Sequence, residues 1–318
     1  MEEAAIGVDI GATYTKYGIM NKSGKLLAFG KINTKAGSCF DDYLDNLILA
    51  LNSLKSETNA ADIDIAGVGI GTPNGSTFTG CIEHAANLPW KGIVPIVEKI
   101  KTRLRTDVFM TNDANAAALG EMFYGQAKGL TNFIEVTLGT GVGCGIIADG
   151  KLMLGKHGLA GELGHARVQG GNRICGCGNA GCLETYASAG GLVRNVFELL
   201  AQKNSTSSSL AKIPFAAMTA EDVSKAATTG DDLALAAFDM TAKFLGIKIA
   251  DAVKFADPEA VILFGGLAGA GEILRKPTER YMEESLPAAF KGKTKLLTSN
   301  IKEGAVAGAC SLVWYNIS

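Results

Sequence analysis

The sequence has few prolines and little net charge, and each shortage excludes a class of protein. Only 7 of its 318 residues are proline, against 40 glycines, which argues against proline-rich disorder and favours tight turns. The formal net charge is −2, so the chain lacks the basic excess expected of a protein that binds nucleic acid or an anionic membrane. Hydrophobic residues make up 47%, enough for a sizeable core, and the length predicts about two domains.

Signals for export or membrane insertion are also missing. The acidic start at Glu2 and Glu3 lacks the basic region and apolar stretch of a signal peptide, and no apolar run is long enough to span a bilayer. Three of the seven cysteines crowd together, which in a reducing compartment indicates metal binding before disulfides. We therefore expect a cytoplasmic protein. The scattered cysteines, expected to be ordinary buried thiols, are Cys39, Cys81, Cys144 and Cys310.

Predicted strands and helices alternate along the chain, which indicates an α/β fold. Residues 6–20 read as two strands around a glycine turn, and residues 132–148 repeat this arrangement. This repeated strand–turn–strand arrangement predicts two related halves, each with a turn of a size that suits phosphate.

Both turns suit a magnesium nucleotide. In residues 9–13, Asp9 at a strand end precedes small residues and a hydroxyl, so backbone N–H groups could bind phosphate while the acid holds the metal through water. In residues 138–145 glycine falls at every second position, so one face carries no side chains and a phosphate can approach the backbone closely. The alternatives are an ordinary hairpin for the first turn and tight strand–helix packing for the second.

Asn112 and Asp113 open a predicted helix directly after a buried strand. Either residue would make a good N-cap. A carboxylate at the mouth of an α/β cleft is also where a general base is expected. Asp113 is therefore a candidate base, with helix capping as the alternative.

Four residues have the composition of a closed zinc site: His165, Cys175, Cys177 and Cys182. Three thiolates and one imidazole around one ion are typical of a structural rather than a catalytic site. The glycines between the cysteines permit the tight backbone that such a site needs.

Two carboxylates, Glu162 and Glu184, flank the cysteine cluster on short tethers. Acidic residues fixed in this way are suited to accept hydrogen bonds from sugar hydroxyls. His84 and His157 have no such partners and are expected to be surface or packing residues.

Six motifs occur in order: residues 9–13, 87–90, 112–116, 138–141, 162–165 and the Cys-x-Cys-Gly-x-x-Gly-Cys-x-Glu run that ends at residue 184. Together they resemble the ROK family (repressors, open reading frames, kinases) over essentially the whole chain, and most closely its bacterial glucokinase branch. The resemblance implies an actin-like (ribonuclease H-like) ATPase fold with two domains flanking an active-site cleft, and a homodimer. We expect a small domain from residues 1–118 and 302–318, which include a returning C-terminal helix, and a large domain from residues 119–301 with the zinc site.

The resemblance also implies an ATP-dependent hexose kinase with Mg²⁺ and structural Zn²⁺. Asp113 matches the catalytic base, and His165 would both bind zinc and lie next to the sugar. The positions that match sugar binding are Asn74, Asn87, Asn112, Glu162, His165 and Glu184. The positions assigned to the nucleotide are Asp9, Gly11, Ala12, Thr13, Lys16, Gly139, Thr140, Gly141, Gly265 and Gly266.

Three positions depart from the family pattern. Ala12 stands where a second glycine is usual, Ala86 where proline is common before Asn87, and Asn74 interrupts the usual Gly-x-Pro-Gly. None removes a chemical group, so a kinase is still expected, acting on the sugar 6-hydroxyl. Glucose is the expected sugar, with N-acetylmannosamine, N-acetylglucosamine and fructose as alternatives.

Two non-enzymatic functions compete. ROK repressors carry a DNA-binding segment before the first strand, and here that strand is expected to begin by Ile6, which disfavours a repressor. A zinc-stabilised protein that binds sugar without catalysis would not need two phosphate turns and Asp113.

Overall fold

The computed structural model describes residues 2–35, 39–58, 63–85, 87–203 and 207–317. In chain order the strands are β1 (Glu2–Ile10), β2 (Tyr14–Asn21), β3 (Leu26–Asn33), β4 (Ile63–Gly71), β5 (Ile82–Glu83), β6 (Ile93–Val94), β7 (Val108–Thr111), β8 (Phe133–Leu138), β9 (Val142–Ala148), β10 (Lys151–Leu152), β11 (Ala260–Phe264) and β12 (Lys295–Thr298). The helices are α1 (Phe40–Glu57), α2 (Ile96–Leu104), α3 (Asp113–Tyr124), α4 (Glu184–Ala187), α5 (Ala189–Lys203), α6 (Ala220–Thr228), α7 (Asp232–Ala256), α8 (Glu272–Ser285) and α9 (Gly304–Ile317). None of these helices combines the length and hydropathy needed to cross a membrane.

The chain forms two compact units. Unit 1 comprises Met1–Gly129, Leu154–Ala160 and Asn300–Ser318, and unit 2 comprises Leu130–Met153 and Gly161–Ser299. The boundary predicted after residue 118 falls inside α3. The structure keeps the whole helix in unit 1 because α3 packs along α9.

Unit 1 is built on a five-stranded sheet of order β3-β2-β1-β4-β7. Strands β1, β2 and β3 are antiparallel neighbours, whereas β1, β4 and β7 run parallel. Side chains of a strand alternate between its two faces. Ile6 and Val8 of β1 accordingly join a core with α1 and α2, while Ala5 joins a second core with α9.

Helix α9 lies unusually close to the sheet of unit 1. A Cβ atom added at Gly69 of β4 would collide with the carbonyl of Ala309, and one added at Gly7 of β1 would collide with the carbonyl of Val306. Glycine at these two positions lets the helix backbone rest directly on the strands.

Unit 2 repeats the same topology with a sheet of order β10-β9-β8-β11-β12. Again the first three strands in sequence are antiparallel, and β8, β11 and β12 run parallel. The predicted relation between the two halves is confirmed at the level of strand order. Helices α5, α7 and α8 contribute buried side chains to one apolar core with this sheet.

Candidate active site and metal centre

The first predicted phosphate loop joins β1 to β2 in unit 1. The Gly11 N–H donates to the carbonyl of Tyr14 at 3.1 Å, and the carbonyl of Thr13 accepts the Thr34 N–H at 3.0 Å. Thr13 is exposed and Ala12 is half-buried. The backbone of the turn is therefore held at both ends while its tip faces solvent.

Asp9 lies on β1 just before this loop, opposite Lys16 on β2. Burial and, to a lesser extent, the nearby Asp113 carboxylate raise the pKa of Asp9 to about 7, against the opposing effect of Lys16. Lys16 itself forms an ion pair with Glu303, with 3.6 Å between Nζ and Oε2. Lys16 thus lies beside the loop, with Asp9 opposite it on β1 and Glu303 at its ammonium group.

Helix α3 begins with a side-chain cap from Asn112. Its Oδ1 accepts the Asn115 N–H at 2.7 Å, so this residue has a structural role besides the predicted sugar contact. Asp113 is the first residue of the helix, and its Oδ1 accepts the Ala114 N–H at 2.9 Å. Solvent reaches the Asp113 side chain, but protein atoms displace much of the surrounding water. This desolvation raises the pKa of Asp113, and the Ala114 N–H partly offsets it.

Two further residues of unit 1 that are predicted to approach the sugar, Asn74 and Asn87, are exposed. Asn74 adopts a left-handed backbone with φ of 54°, which asparagine tolerates better than most residues, and its Nδ2 donates to the carbonyl of Glu83 at 2.9 Å. The asparagine thus has a conformational role at this turn. Asn87 is exposed next to the buried Leu88, and Ala86 lies outside the described residues.

The second predicted loop, between β8 and β9 in unit 2, lines a cavity. The cavity measures about 560 Å³ and is lined by Gly139, Thr140, Ala189, Ala220, Glu221, Ser224, Gly266, Leu267, Gly269 and Ala270. Three residues predicted to bind nucleotide, Gly139, Thr140 and Gly266, therefore meet at one site. Space for a Cβ atom is open at both Gly139 and Gly266. The contribution of α6, through Glu221 and Ser224, was not predicted, because nothing in the sequence brings that helix to the loop.

Gly265 and Gly141 belong to the same loops but serve packing. Gly265 has a φ of 96°, and a Cβ atom there would lie 2.6 Å from the carbonyl oxygen of Leu138. A Cβ atom on Gly141 would collide with the carboxylate of Glu184, whose Oε2 accepts the Val142 N–H at 3.1 Å. Gly265 is thus explained by the close approach of the ends of β8 and β11. Gly141 is explained by the contact with Glu184.

The four predicted metal ligands come together in unit 2. Their donor atoms, on His165, Cys175, Cys177 and Cys182, all lie within 4.8 Å of one another. The Sγ atoms of Cys177 and Cys182 are 3.7 Å apart, and Cys175 Sγ is 3.8 Å from His165 Nδ1. A tetrahedral zinc ion with Zn–S bonds of about 2.3 Å places its sulfur ligands about 3.8 Å apart. The cluster therefore fits Zn²⁺ in both donor type and spacing.

Local turns shape the segment that carries the three cysteines, residues 175–182, which is called the ligand loop. The Gly178 N–H donates to the carbonyl of Cys175 at 3.0 Å, and the Cys175 N–H donates to the carbonyl of Asn179 at 2.8 Å. Gly178 and Gly181 adopt positive φ values of 90° and 83°. Two of the glycines in the motif are thus required by the backbone, as predicted.

The thiols of the cluster differ in acidity. The Asn179 N–H lowers the pKa of Cys177 to about 7, whereas burial raises the pKa of Cys175 to about 12. A bound metal ion would override both shifts, because a coordinating thiol is deprotonated outright.

The carboxylates beside the cluster point to different partners. Nε2 of His165 is 3.8 Å from Oε2 of Glu162, so Nδ1 faces the thiols while the opposite ring nitrogen faces Glu162. Glu162 and His165 are both solvent-exposed. Glu184 is partly buried, and its Oε1 lies 3.6 Å from Sγ of Cys175. The structure thus brings the predicted sugar ligands of unit 2 to the metal cluster.

A clamp that the sequence did not reveal holds the ligand loop to α4. Nη1 of Arg173 donates to the carbonyl of Thr185 at 2.8 Å, and Nη2 pairs with Glu198. The guanidinium lies 4.2 Å from the ring centroid of Tyr186, whose hydroxyl accepts the N–H groups of Asn172 and Arg173. This contact fixes the start of the loop next to Glu184 without any metal.

The remaining histidines and cysteines divide as follows. His84 and His157 are exposed, as expected of surface residues. Cys144 and Cys310 are buried as predicted, but Cys39 is exposed and Cys81 is half-exposed. The prediction was wrong for these two because Cys39 is the N-cap of α1 and Cys81 lies in a surface turn.

Comparisons with known proteins show the family of this chain. The sequence profile of the ROK family matches residues 5–315. A glucokinase of Halalkalibacterium halodurans is 35% identical over 307 residues, which cover 95% of this chain and 93% of that protein. A xylose repressor of Caldicellulosiruptor bescii is 30% identical, over 96% of this chain and 76% of the repressor.

A solved structure shows the same fold. The ROK family glucokinase from Streptomyces griseus, in complex with glucose and AMPPNP, superposes with a TM-score of 0.81 at 30% identity, covering 97% of this chain and 98% of that one. The predicted actin-like ATPase fold is thereby confirmed.

Proposed function

Because this chain belongs to the ROK family, we propose that it is an ATP-dependent hexose kinase with glucose as its preferred acceptor. The observation that carries the proposal is the cavity of about 560 Å³ at which Gly139, Thr140 and Gly266 meet. Pockets for ligands of nucleotide size fall in the range of about 300–1,000 Å³. Its open glycines leave room for phosphate beside the backbone.

Asp113 is the proposed general base. Asn112 already caps α3, so the Asp113 carboxylate is not needed for capping. The sugar 6-hydroxyl oxygen attacks the γ-phosphorus of ATP, the bond from that phosphorus to the bridging oxygen breaks, and the hydroxyl proton passes to Asp113. The products are the sugar 6-phosphate and ADP. A raised pKa suits this residue, because a base is most effective when its pKa approaches the working pH.

Asp9 is the residue proposed to hold Mg²⁺, through water. It lies directly before the first loop and beside Asp113, and carboxylates are the ligands that this ion prefers. When bound, Mg²⁺ neutralises charge on the phosphates. Loop residues 11–13 would then position the nucleotide, which dominates catalysis of phosphoryl transfer.

Glu162, His165 and Glu184 are proposed to accept hydrogen bonds from sugar hydroxyls. His165 directs Nδ1 at the cysteines, so zinc would fix the orientation of its ring and of the neighbouring Glu162. The zinc site is structural in this proposal, since three thiolates and one imidazole complete a tetrahedron.

The function is tested by measuring ADP release with a panel of acceptors. The panel contains glucose, fructose, N-acetylglucosamine and N-acetylmannosamine, each with Mg²⁺ and ATP. We expect the highest kcat/KM with glucose. A markedly higher value for another sugar would change the substrate but keep the reaction. Sugar binding in calorimetry without ADP release for any acceptor would identify a sugar-sensing protein and reject the kinase.

A further inference from the structure

Glu184 contacts the phosphate loop as well as the metal cluster. Its Oε2 accepts the Val142 N–H at 3.1 Å, and its carboxylate lies against the Cα atom of Gly141, where an added Cβ atom would also come within 3.3 Å of Cδ. Gly141 has no positive φ. An alanine at this position would meet only the Glu184 carboxylate, which would have to leave its place beside the Val142 N–H.

The same segment holds the other end of the loop. The Ala189 N–H donates to the carbonyl of Gly139 at 2.9 Å, and the Ser188 N–H donates to the carbonyl of Glu184 at 3.2 Å. Residues 184–189 thus hydrogen-bond the β8–β9 loop at two points, through the Glu184 side chain and the Ala189 backbone. Thr140, which lines the cavity, lies between the two bonded residues, Gly139 and Val142.

We propose that Glu184 is a positioning residue for the nucleotide: it fixes the β8–β9 loop, so that sugar bound at Glu184 and nucleotide bound at Gly139 and Thr140 strengthen each other's binding. The proposal rests on the function proposed above, since it takes Glu184 to contact the sugar. A sugar that orders this carboxylate also orders the loop, and coupling between two binding sites is reciprocal.

The test measures the affinity for AMPPNP with Mg²⁺ by calorimetry, with and without glucose. For the wild type we expect glucose to tighten AMPPNP binding by about fivefold or more, a common size for coupling between sites. Glu184→Ala should weaken AMPPNP binding about tenfold, as expected for loss of a charged hydrogen bond. Glu184→Gln keeps a carbonyl oxygen for the Val142 N–H and should restore most of that affinity.

A double-mutant cycle isolates the contact with Gly141. Gly141→Ala should weaken AMPPNP binding strongly when Glu184 is present and little in the Glu184→Ala background, because the colliding group is then gone. Melting temperatures of the same four proteins should show the same non-additivity. Gly190→Ala is the matched control, since its Cβ atom would meet only Oγ of Ser188, at 3.9 Å.

Each other outcome has a distinct meaning. Additive effects in the cycle would reject the contact. Non-additive melting temperatures with unchanged AMPPNP affinity in Glu184→Ala would make the contact merely structural and overturn the proposal. A wild type that binds AMPPNP equally well with and without glucose would overturn the coupling. Failure of the wild type to bind glucose, with the AMPPNP cycle intact, would reject the sugar assignment but keep the nucleotide role. A wild type that binds no AMPPNP would reject both the kinase and this inference.

Discussion

Asn112 caps helix α3 through its side chain, and this leaves the carboxylate of the adjacent Asp113 outside the cap. Oδ1 of Asn112 bonds the Asn115 N–H, whereas Asp113 bonds the N–H of the next residue, Ala114. Either residue could have capped the helix on sequence grounds. The structure assigns the cap to Asn112, and the two side chains can therefore be tested separately.

Replacing the proposed base should abolish most turnover and spare the fold. Asp113→Asn should lower kcat by about 10²–10⁴-fold, the usual contribution of a positioned general base, with a melting temperature close to that of the wild type. Asn112→Ala should instead lower the free energy of unfolding by about 1 kcal/mol, because it removes the cap. Steady-state kinetics and thermal unfolding measure both effects. An Asp113→Asn protein that turns over within a few-fold of the wild type would remove this residue from the mechanism.

Zinc should be stoichiometric and stabilising. Elemental analysis of the purified protein should give one Zn²⁺ per chain, and Cys177→Ser should reduce both zinc content and melting temperature, because structural zinc contributes directly to folding. Cys81→Ser is the control, since this half-exposed thiol lies outside the cluster. Purified wild-type protein without stoichiometric metal would refute the site.

Asp9 should make both stability and activity depend on pH. Its folded pKa of about 7 lies above the ordinary value of 3.8, so its protonated form is favoured by folding. The stability that it contributes is complete below about pH 4 and is lost as the pH rises through about 7. Asp9→Asn should therefore raise the melting temperature at pH 8 more than at pH 5, which thermal unfolding can measure.

The control for this effect is Asp64→Asn, a change in an exposed carboxylate of β4. Equal stabilisation by Asp9→Asn at both pH values would contradict the raised pKa. In the wild type, kcat/KM should fall as the pH drops below about 7, because both Asp9 and the base Asp113 act in their ionised forms. A higher Mg²⁺ concentration should move this fall in kcat/KM to lower pH, since the cation favours ionised Asp9.

Arg173 should affect substrate binding through the position of Glu184. Arg173→Met removes the bonds to Thr185 and Glu198 and loosens α4, which begins with Glu184. We expect the KM for glucose to rise several-fold with zinc content unchanged. Arg280→Met is a matched control, because Arg280 also stacks on a tyrosine and pairs with an acid, but at an exposed site on α8. Equal KM changes in the two variants would exclude a positioning role for Arg173.

Elements with a clear internal pattern could be predicted from the sequence. Apolar residues at helical spacing over residues 40–54 predict a helix, close to the observed Phe40–Glu57, and the apolar run over residues 260–264 predicts a buried strand, which is the observed extent of β11. Strand β12 was missed, because it is four residues long at a sheet edge and buries only Leu296. Short edge strands carry too little alternation to be recognised.

The same distinction applies to the site. The cluster of His165 and three cysteines was predictable because the three cysteines lie within one short motif whose glycines reveal the turns. The contact between Gly141 and Glu184 was not, since it joins segments far apart in sequence. The sequence suggested phosphate for the glycine at residue 141, and the structure adds a second reason, the Glu184 carboxylate that the tertiary fold brings against it.

The close packing of α9 on the sheet of unit 1 has a consequence for synthesis on the ribosome. Trp314 and Cys310 of this helix are fully buried against strands made from the first residues of the chain. Unit 1 therefore cannot close its second core until α9 has left the exit tunnel. Unit 2, drawn from residues 130–153 and 161–299, contains no residue of this helix. The two sides of this core, strands β1 and β2 and helix α9, are therefore separated in sequence by the whole of unit 2, so the usual order, in which N-terminal domains fold before later ones, cannot complete it.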